Sequence, residues 1–235
     1  MAVAAGSTNQ SDNQTDNQAD SDDYEDEYAD LDSQVADPLE SWNRVMFAFN
    51  DVTYRFIAKP ISKGYDFIVP SPVRTGIKNF FYNLTFPVRF VGNFLQGKGT
   101  NAGFEFTQFL VNSTFGIGGL IDFYQRVEPD NPLKDDEDFG QVLAHMGLGD
   151  GFYIVWPLLG PSTARNTLGM IGDALLNPVT YISHWKPRLA TVGINTVNGL
   201  SERLRGYDAM KKNAIEPYSA LRDGYIQFRK GKLER

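Results

Sequence analysis

Cysteine is absent from the 235 residues. That excludes disulfides, thiol nucleophiles and thiolate metal sites. Histidine is scarce: His145 and His184 lie 39 residues apart, and no H-E-x-x-H or comparable ligand spacing surrounds either. Lys and Arg are missing from the first 36 residues, which carry ten of the 29 acidic side chains. The remainder then holds 19 acidic against 22 basic residues, so the net charge of -7 comes from the tail and the rest is +3. The pI of 4.9 describes that tail, not the fold. Long apolar runs are absent too. The longest charge-free stretch, residues 106–121, is 16 residues broken by Gly116, Gly118 and Gly119, short of the ~20 that span a bilayer as a helix.

Asn, Gln, Ser, Thr and Asp dominate residues 7–32, with almost nothing apolar to bury. Such a composition cannot offset its ordering entropy, which predicts a disordered acidic linker over residues 1–36. The opening Met1-Ala-Val-Ala-Ala is too short for a signal-peptide core and has no basic flank. Residues 37–235 are long enough for one domain with a sizeable core. Within it, about residues 203–235 hold nine Lys/Arg against four Asp/Glu and read as a basic helical extension, solvated or set near anionic headgroups.

A search for catalysis finds little. Gly160-Pro-Ser-Thr-Ala164 lacks the second glycine of a nucleophile elbow. Ser183-His-Trp-Lys186 fits S-x-x-K by letter only, with Pro187 breaking any helix there. Asp135 to Asp138 lacks the alternating ligands and central glycine of a calcium loop. Gly116-Ile-Gly-Gly119 and Gly147-Leu-Gly-Asp-Gly151 have neither phosphate-loop spacing, and suit tight turns and close helix contacts better. No enzyme, cofactor or metal is expected.

Aromatic residues are abundant: 17 Phe, 11 Tyr and 3 Trp, 13% of the chain. The pattern is helical, punctuated by Gly and Pro. Asp37 is a candidate N-cap with Pro38 at the first helical position. Trp42, Val45, Met46, Phe49, Val52 and Phe56 then recur at helical spacing as one apolar face, and Phe47 and Tyr54 lie off it. A helix with extra aromatics on its flank belongs in a large core or at a lipid boundary. Ser71-Pro72 opens another helix, Pro87 a third, Thr100 a fourth. Asp138 with Gln141 forms a capping box, Pro161-Ser162 starts a helix ended by Asn177-Pro178, and a longer one follows Pro187. The single strand signal is Phe152-Tyr-Ile-Val-Trp156. The fold class is all-α. Arg165 and Asp173, eight residues apart, share a face only loosely and are candidates for an ion pair on a par with other partners, and the Val127–Asp138 loop reads as a solvated loop or a mobile flap. Polar residues sit among the aromatics: Asn43, Arg44, Asn50, Asn79, Asn83, Asn93 and Asn112. They are either locally satisfied or line a polar path inside an apolar shell.

The string Asp37-Pro-Leu-Glu-Ser-Trp-Asn-Arg-Val-Met-Phe-Ala-Phe-Asn50 resembles the opening of the VacJ/MlaA family of outer-membrane phospholipid-removing lipoproteins. Val69-Pro-Ser-Pro-Val-Arg74, Asn93-Phe-Leu-Gln-Gly97, the segment 112–122, Asp138-Phe-Gly-Gln141, Gly151-Phe-Tyr-Ile-Val-Trp-Pro157, Gly160-Pro-Ser-Thr-Ala-Arg165 and Gly172-Asp173 follow in the family's order, together covering residues 37–178. The resemblance implies a ring- or disc-like helical domain with Gly/Pro-rich loops in the periplasmic leaflet of the outer membrane. It implies a passive phospholipid conduit that hands lipid to a periplasmic carrier, held in place by a trimeric porin, with no nucleic-acid partner. A porin-bracing role without transport and a soluble periplasmic lipid-binding protein are the rival readings. The family's acylated Cys would lie upstream of these residues. Carried onto this chain, Trp42, Phe47, Phe49 and Tyr54 are candidates for the membrane rim. Asn43, Asn50, Asn112, Gly116, Gly118, Gly119, Asp122, Phe139, Gly147 and Gly151 are candidates for shaping the lipid path.

Overall fold

A computed structural model describes residues 35–129 and 137–234. The chain divides after Ala36 into two units. The first, with the acidic linker, lies almost wholly outside the described residues, as does the centre of the 127–138 loop read as a flap. From Asp37 onward the described residues are all-α apart from one short hairpin.

Helix α1 covers Glu40–Thr53. Leu39, not Asp37, occupies its cap position, because the Asp37 carboxylate is engaged elsewhere. It accepts from Asn43 Nδ2 (2.7 Å) and from the Tyr218 hydroxyl. A wide π turn, Tyr54–Ala58, leads into α2, Lys59–Ile68. Pro60 has no amide to donate and its ring crowds the carbonyl of residue 56; the wider turn absorbs both. Next come α3 (Ser71–Leu84), α4 (Phe86–Leu95) and α5 (Gly99–Thr114). Pro72 and Pro87 each fall in a first turn, where a missing N–H does no harm. α4 and α5 pack as a hairpin through phenylalanines, with Phe86 stacked on Phe109 at 4.4 Å between centroids.

After α6 (Tyr124–Val127), the Asp138 cap of the expected capping box appears where the sequence placed it. Asp138 accepts from Gln141 N at 3.0 Å and opens α7, Phe139–His145. Strand β1, Tyr153–Trp156, matches the one extended segment expected. Its partner β2, Gly160–Thr163, was expected to be helical. Pro161 fits there because it faces Val155, whose N–H turns away from β2 to Asn43 Oδ1. The following helix α8 therefore begins later, at Ala164–Leu176, capped by Thr163 Oγ1 accepting from Asn166 N. A 3-10 turn at Pro178–Tyr181 precedes the long α9, Trp185–Asn213, and α10, Pro217–Leu233.

Two helix contacts define the architecture. α9 runs against α2 and α3, and α7 crosses α8 in close backbone contact. At that crossing a Cβ on Gly169 would lie 2.4 Å from the Gly140 amide nitrogen, and one on Gly172 would lie 2.4 Å from the Phe139 ring. Only glycine permits such an approach.

Candidate functional site

Polarity runs inward. The buried residues of α1 are Asn43 and Asn50, that of α2 is Ser62, and those of α5 are Ala102, Glu105, Gln108 and Asn112. Outside, the stripe of Trp42, Val45, Phe49 and Val52 on α1, continued by Phe56 in the π turn, is exposed, and Phe67, Ile68, Phe94, Phe115, Ile117, Leu158, Leu159 and Trp185 extend the apolar exterior. Water alone would not favour so much exposed apolar surface around so polar an interior. No helix among the described residues is long and apolar enough to cross a membrane.

Of the rim candidates, Trp42 and Phe49 lie on this exposed stripe. Phe47 and Tyr54 do not. Turned about the helix, they reach the Tyr207 ring at 6.5 and 5.1 Å between centroids, and Phe47 also meets Tyr218 edge-on at 6.0 Å.

The polar interior is bonded. Asn43 donates to Tyr153 O and accepts from Val155 N; Asn50, two turns on, donates to Trp156 O and accepts from Leu158 N. These two amides thus complete the open edge of β1, as a third strand would, and neither is left to face a ligand. Asn112 works similarly, donating to Asp122 Oδ1 and accepting from Tyr124 N. Gly116 and Gly119 allow the intervening loop to close. A Cβ on Gly116 would meet Ile121 O at 2.1 Å, and one on Gly119 would meet Asn83 at 2.5 Å. Gly118 lines an apolar cavity of about 370 Å³ with Phe80, Leu84, Phe86 and Phe109. Asp122 lines another, of about 670 Å³, beside Asn79 and Arg126. Gly147 follows the end of α7, and Gly151 precedes β1.

Phe139 lies under Gly172, and its N–H donates to Asp173 Oδ1 at 2.8 Å. Asp173 is thereby not the partner of Arg165, which pairs with Asp150 at 2.6 Å and donates to Leu148 O. Burial, helped by the neighbouring Asp138 charge, pushes the Asp173 carboxyl up to about 6. Burial opposes the charge on Asp138 as well, but the bidentate Arg229 guanidinium outweighs it and holds that carboxyl below its usual range. Because the Asp173 proton is bound more tightly in the fold, this group favours folding at low pH, and its contribution is lost as pH rises from about 4 through 6. Asp173→Asn keeps an acceptor for Phe139 N. It is expected to stabilise the protein at pH 7.5 by on the order of 1–2 kcal/mol, with the gain vanishing at pH 4.5, read by urea unfolding in detergent.

Two features escaped the sequence reading. Arg229, from the basic C-terminal stretch, is buried and ties α10 to α7 and α8 through Asp138 and Asn166 (2.7 Å), rather than facing headgroups. A cleft of about 740 Å³ is formed by α3, α9 and α10. Lys78, Tyr82, Thr85, Asn195, Asn198, Glu202 and Arg203 supply its polar lining, and Phe81, Gly199, Gly206 and Phe228 the rest. None of the ten lipid-path candidates lines it. Asn195, Asn198 and Glu202 recur at helical spacing, which was the available signal.

An all-helical domain with a polar interior, an apolar exterior and an amphipathic cleft defines a class of protein built for lipid surroundings. The chain matches the family model described as MlaA lipoprotein over residues 35–232. It is 34% identical over 195 residues to the intermembrane phospholipid transport system lipoprotein MlaA of Shigella flexneri, covering 82% of this chain and 76% of that one. The protein of that name from Escherichia coli (strain K12) is 33% identical over the same shares. An uncharacterized protein of Rickettsia bellii is 31% identical over 202 residues, 86% of this chain and 78% of its own. A solved structure from work on the structural basis for maintenance of bacterial outer membrane lipid asymmetry matches with a TM-score of 0.72 and 32% identity, covering 84% of this chain and 99% of that one. The chain belongs to the MlaA lipoprotein family.

Proposed function

We propose that this protein is a non-enzymatic phospholipid conduit. It lies in the periplasmic leaflet of the outer membrane, takes mislocalised phospholipid from the outer leaflet and passes it to a periplasmic lipid carrier, with a trimeric porin as its membrane partner. The observation that carries this reading is the reversal of polarity combined with the α3/α9/α10 cleft. An apolar exterior lets the helices lie among acyl chains, while the cleft offers charges and the Asn195 amide to a headgroup beside Phe81 and Phe228 for the chain ends. The names borne by the Shigella flexneri and Escherichia coli relatives support the same substrate. Moving a lipid between leaflets breaks no covalent bond. The candidate nucleophile of the sequence is also out of reach: Ser162 is fully buried and bonded to Thr163 O and Thr167 Oγ1.

The test is reconstitution into asymmetric vesicles carrying a fluorescent phospholipid in one leaflet, with release to a soluble acceptor followed over time. Transfer rising with protein content is expected. Stable insertion with no transfer, with or without a porin, would overturn the conduit and leave a bracing role.

A further inference from the structure

The α3/α9/α10 cleft does not stand alone. A second cavity of about 260 Å³ is lined by Ser71, Arg74, Thr75, Ser201 and Arg205, and it shares Lys78, Asn198 and Glu202 with the larger cleft. The Lys78–Glu202 ion pair, Nζ to Oε2 at 3.0 Å, therefore stands where the two meet. Both side chains are about two-thirds exposed, 66% and 67%. An ion pair that open to water contributes little net stability, so it can be exchanged cheaply. Glu202 also has substitutes at hand. Arg205 and Arg203 add to the Lys78 hydrogen bond in holding its carboxyl below the usual carboxylate range. Lys78, on the other side, can be released without stranding a buried charge.

We propose that Lys78 is a binding site for the phosphodiester of a glycerophospholipid, and that the phosphate gains it by displacing Glu202, which swings to Arg203 and Arg205. This rests on the conduit reading for its ligand. The chemistry favours the exchange. A phosphodiester is a permanent monoanion whose charge is shared over two oxygens, as in the carboxylate it replaces, but it also brings acyl chains that the apolar lining can cover, whereas Glu202 brings none. The net excess of two cations over Glu202 among these four residues draws a phosphate inward even before the exchange. Asn198 is not a competing anchor: its amide is committed to Arg74 O and to the Tyr65 hydroxyl.

The test is equilibrium binding of dihexanoyl phosphatidylglycerol to the detergent-solubilised full chain by calorimetry, beside dihexanoylglycerol, which lacks the phosphate, and inorganic phosphate, which lacks the chains. Lys78→Met is expected to weaken phosphatidylglycerol binding about tenfold while leaving dihexanoylglycerol unchanged. Glu202→Gln, which frees Lys78, is expected to tighten it a few-fold. Circular dichroism confirms that both variants fold. Equal binding by wild type and Lys78→Met overturns the site. Weakening by Glu202→Gln overturns the exchange and makes the pair a structural one. Inorganic phosphate binding as tightly as the lipid, with the same dependence on Lys78, overturns the lipid assignment in favour of a free-anion site. Because this measures binding and not transfer, a protein that binds through Lys78 but moves no lipid retains the site and loses the conduit.

Discussion

Gly206→Trp is expected to reduce phospholipid transfer at least about tenfold while leaving the protein folded and membrane-bound. Gly206 lies on α9 and lines the 740 Å³ cleft, as does Phe228. A Cβ placed there meets no heavy atom within 4 Å, so the substitution forces no backbone movement. Replacing a helical glycine by almost any residue also removes backbone entropy from the unfolded chain, a gain of about 0.5 kcal/mol or more. An indole then occupies the space through which the proposed conduit would pass a headgroup. Gly193→Trp is the control: it is on the same helix, equally unobstructed, and outside the cleft. Loss of transfer in the first and not the second places the lipid path in the cleft. If both transfer at the wild-type rate, the path runs elsewhere, and the 370 Å³ cavity beside Gly118 becomes the next candidate.

The double variant Phe49→Asp/Phe56→Asp is expected to detach the protein from vesicles in a flotation assay, with partitioning down by roughly a hundredfold or more. Both rings are exposed on the outward stripe that runs from α1 into the π turn, 48% and 68% respectively. Only the exposed half to two-thirds of each ring changes surroundings, so each yields about 1–2 kcal/mol and the two together about 2–4. A carboxylate in the same place adds a desolvation penalty. Folding is spared, since α1 is held from its opposite face by the Asn43 and Asn50 amides on β1. Phe47→Asp makes the contrast: that ring packs between Tyr207 and Tyr218, so its loss is expected to lower the unfolding midpoint rather than partitioning alone. Unchanged partitioning in the double variant would remove α1 from the membrane contact.

Glycine, proline and capping residues made most helices legible in the sequence, because these residues act through their own backbone. Pro72 in a first turn, the Asp138–Gln141 cap and the end of α7 before Gly147 all depend on contacts within a few residues. Where the partner was distant, the reading failed. Asp37 left its cap for Asn43 and Tyr218, and Arg165 chose Asp150 over Asp173. Gly160–Thr163 became a strand because β1, itself completed by amides more than a hundred residues upstream, was there to pair with it.

By itself, then, the sequence determined the helical class, the local stops and starts, the absence of thiol chemistry and the family to which the chain belongs. It also marked the α1 stripe as apolar, but periodicity specifies only that one face differs from the other. Which face meets the protein and which meets the surroundings depends on what stands opposite, and tertiary structure alone supplied that answer: Asn43 and Asn50 turn inward, the rings outward. The cleft was decided at the same level, since Lys78, Glu202 and Phe228 come from three helices and converge only when those helices pack.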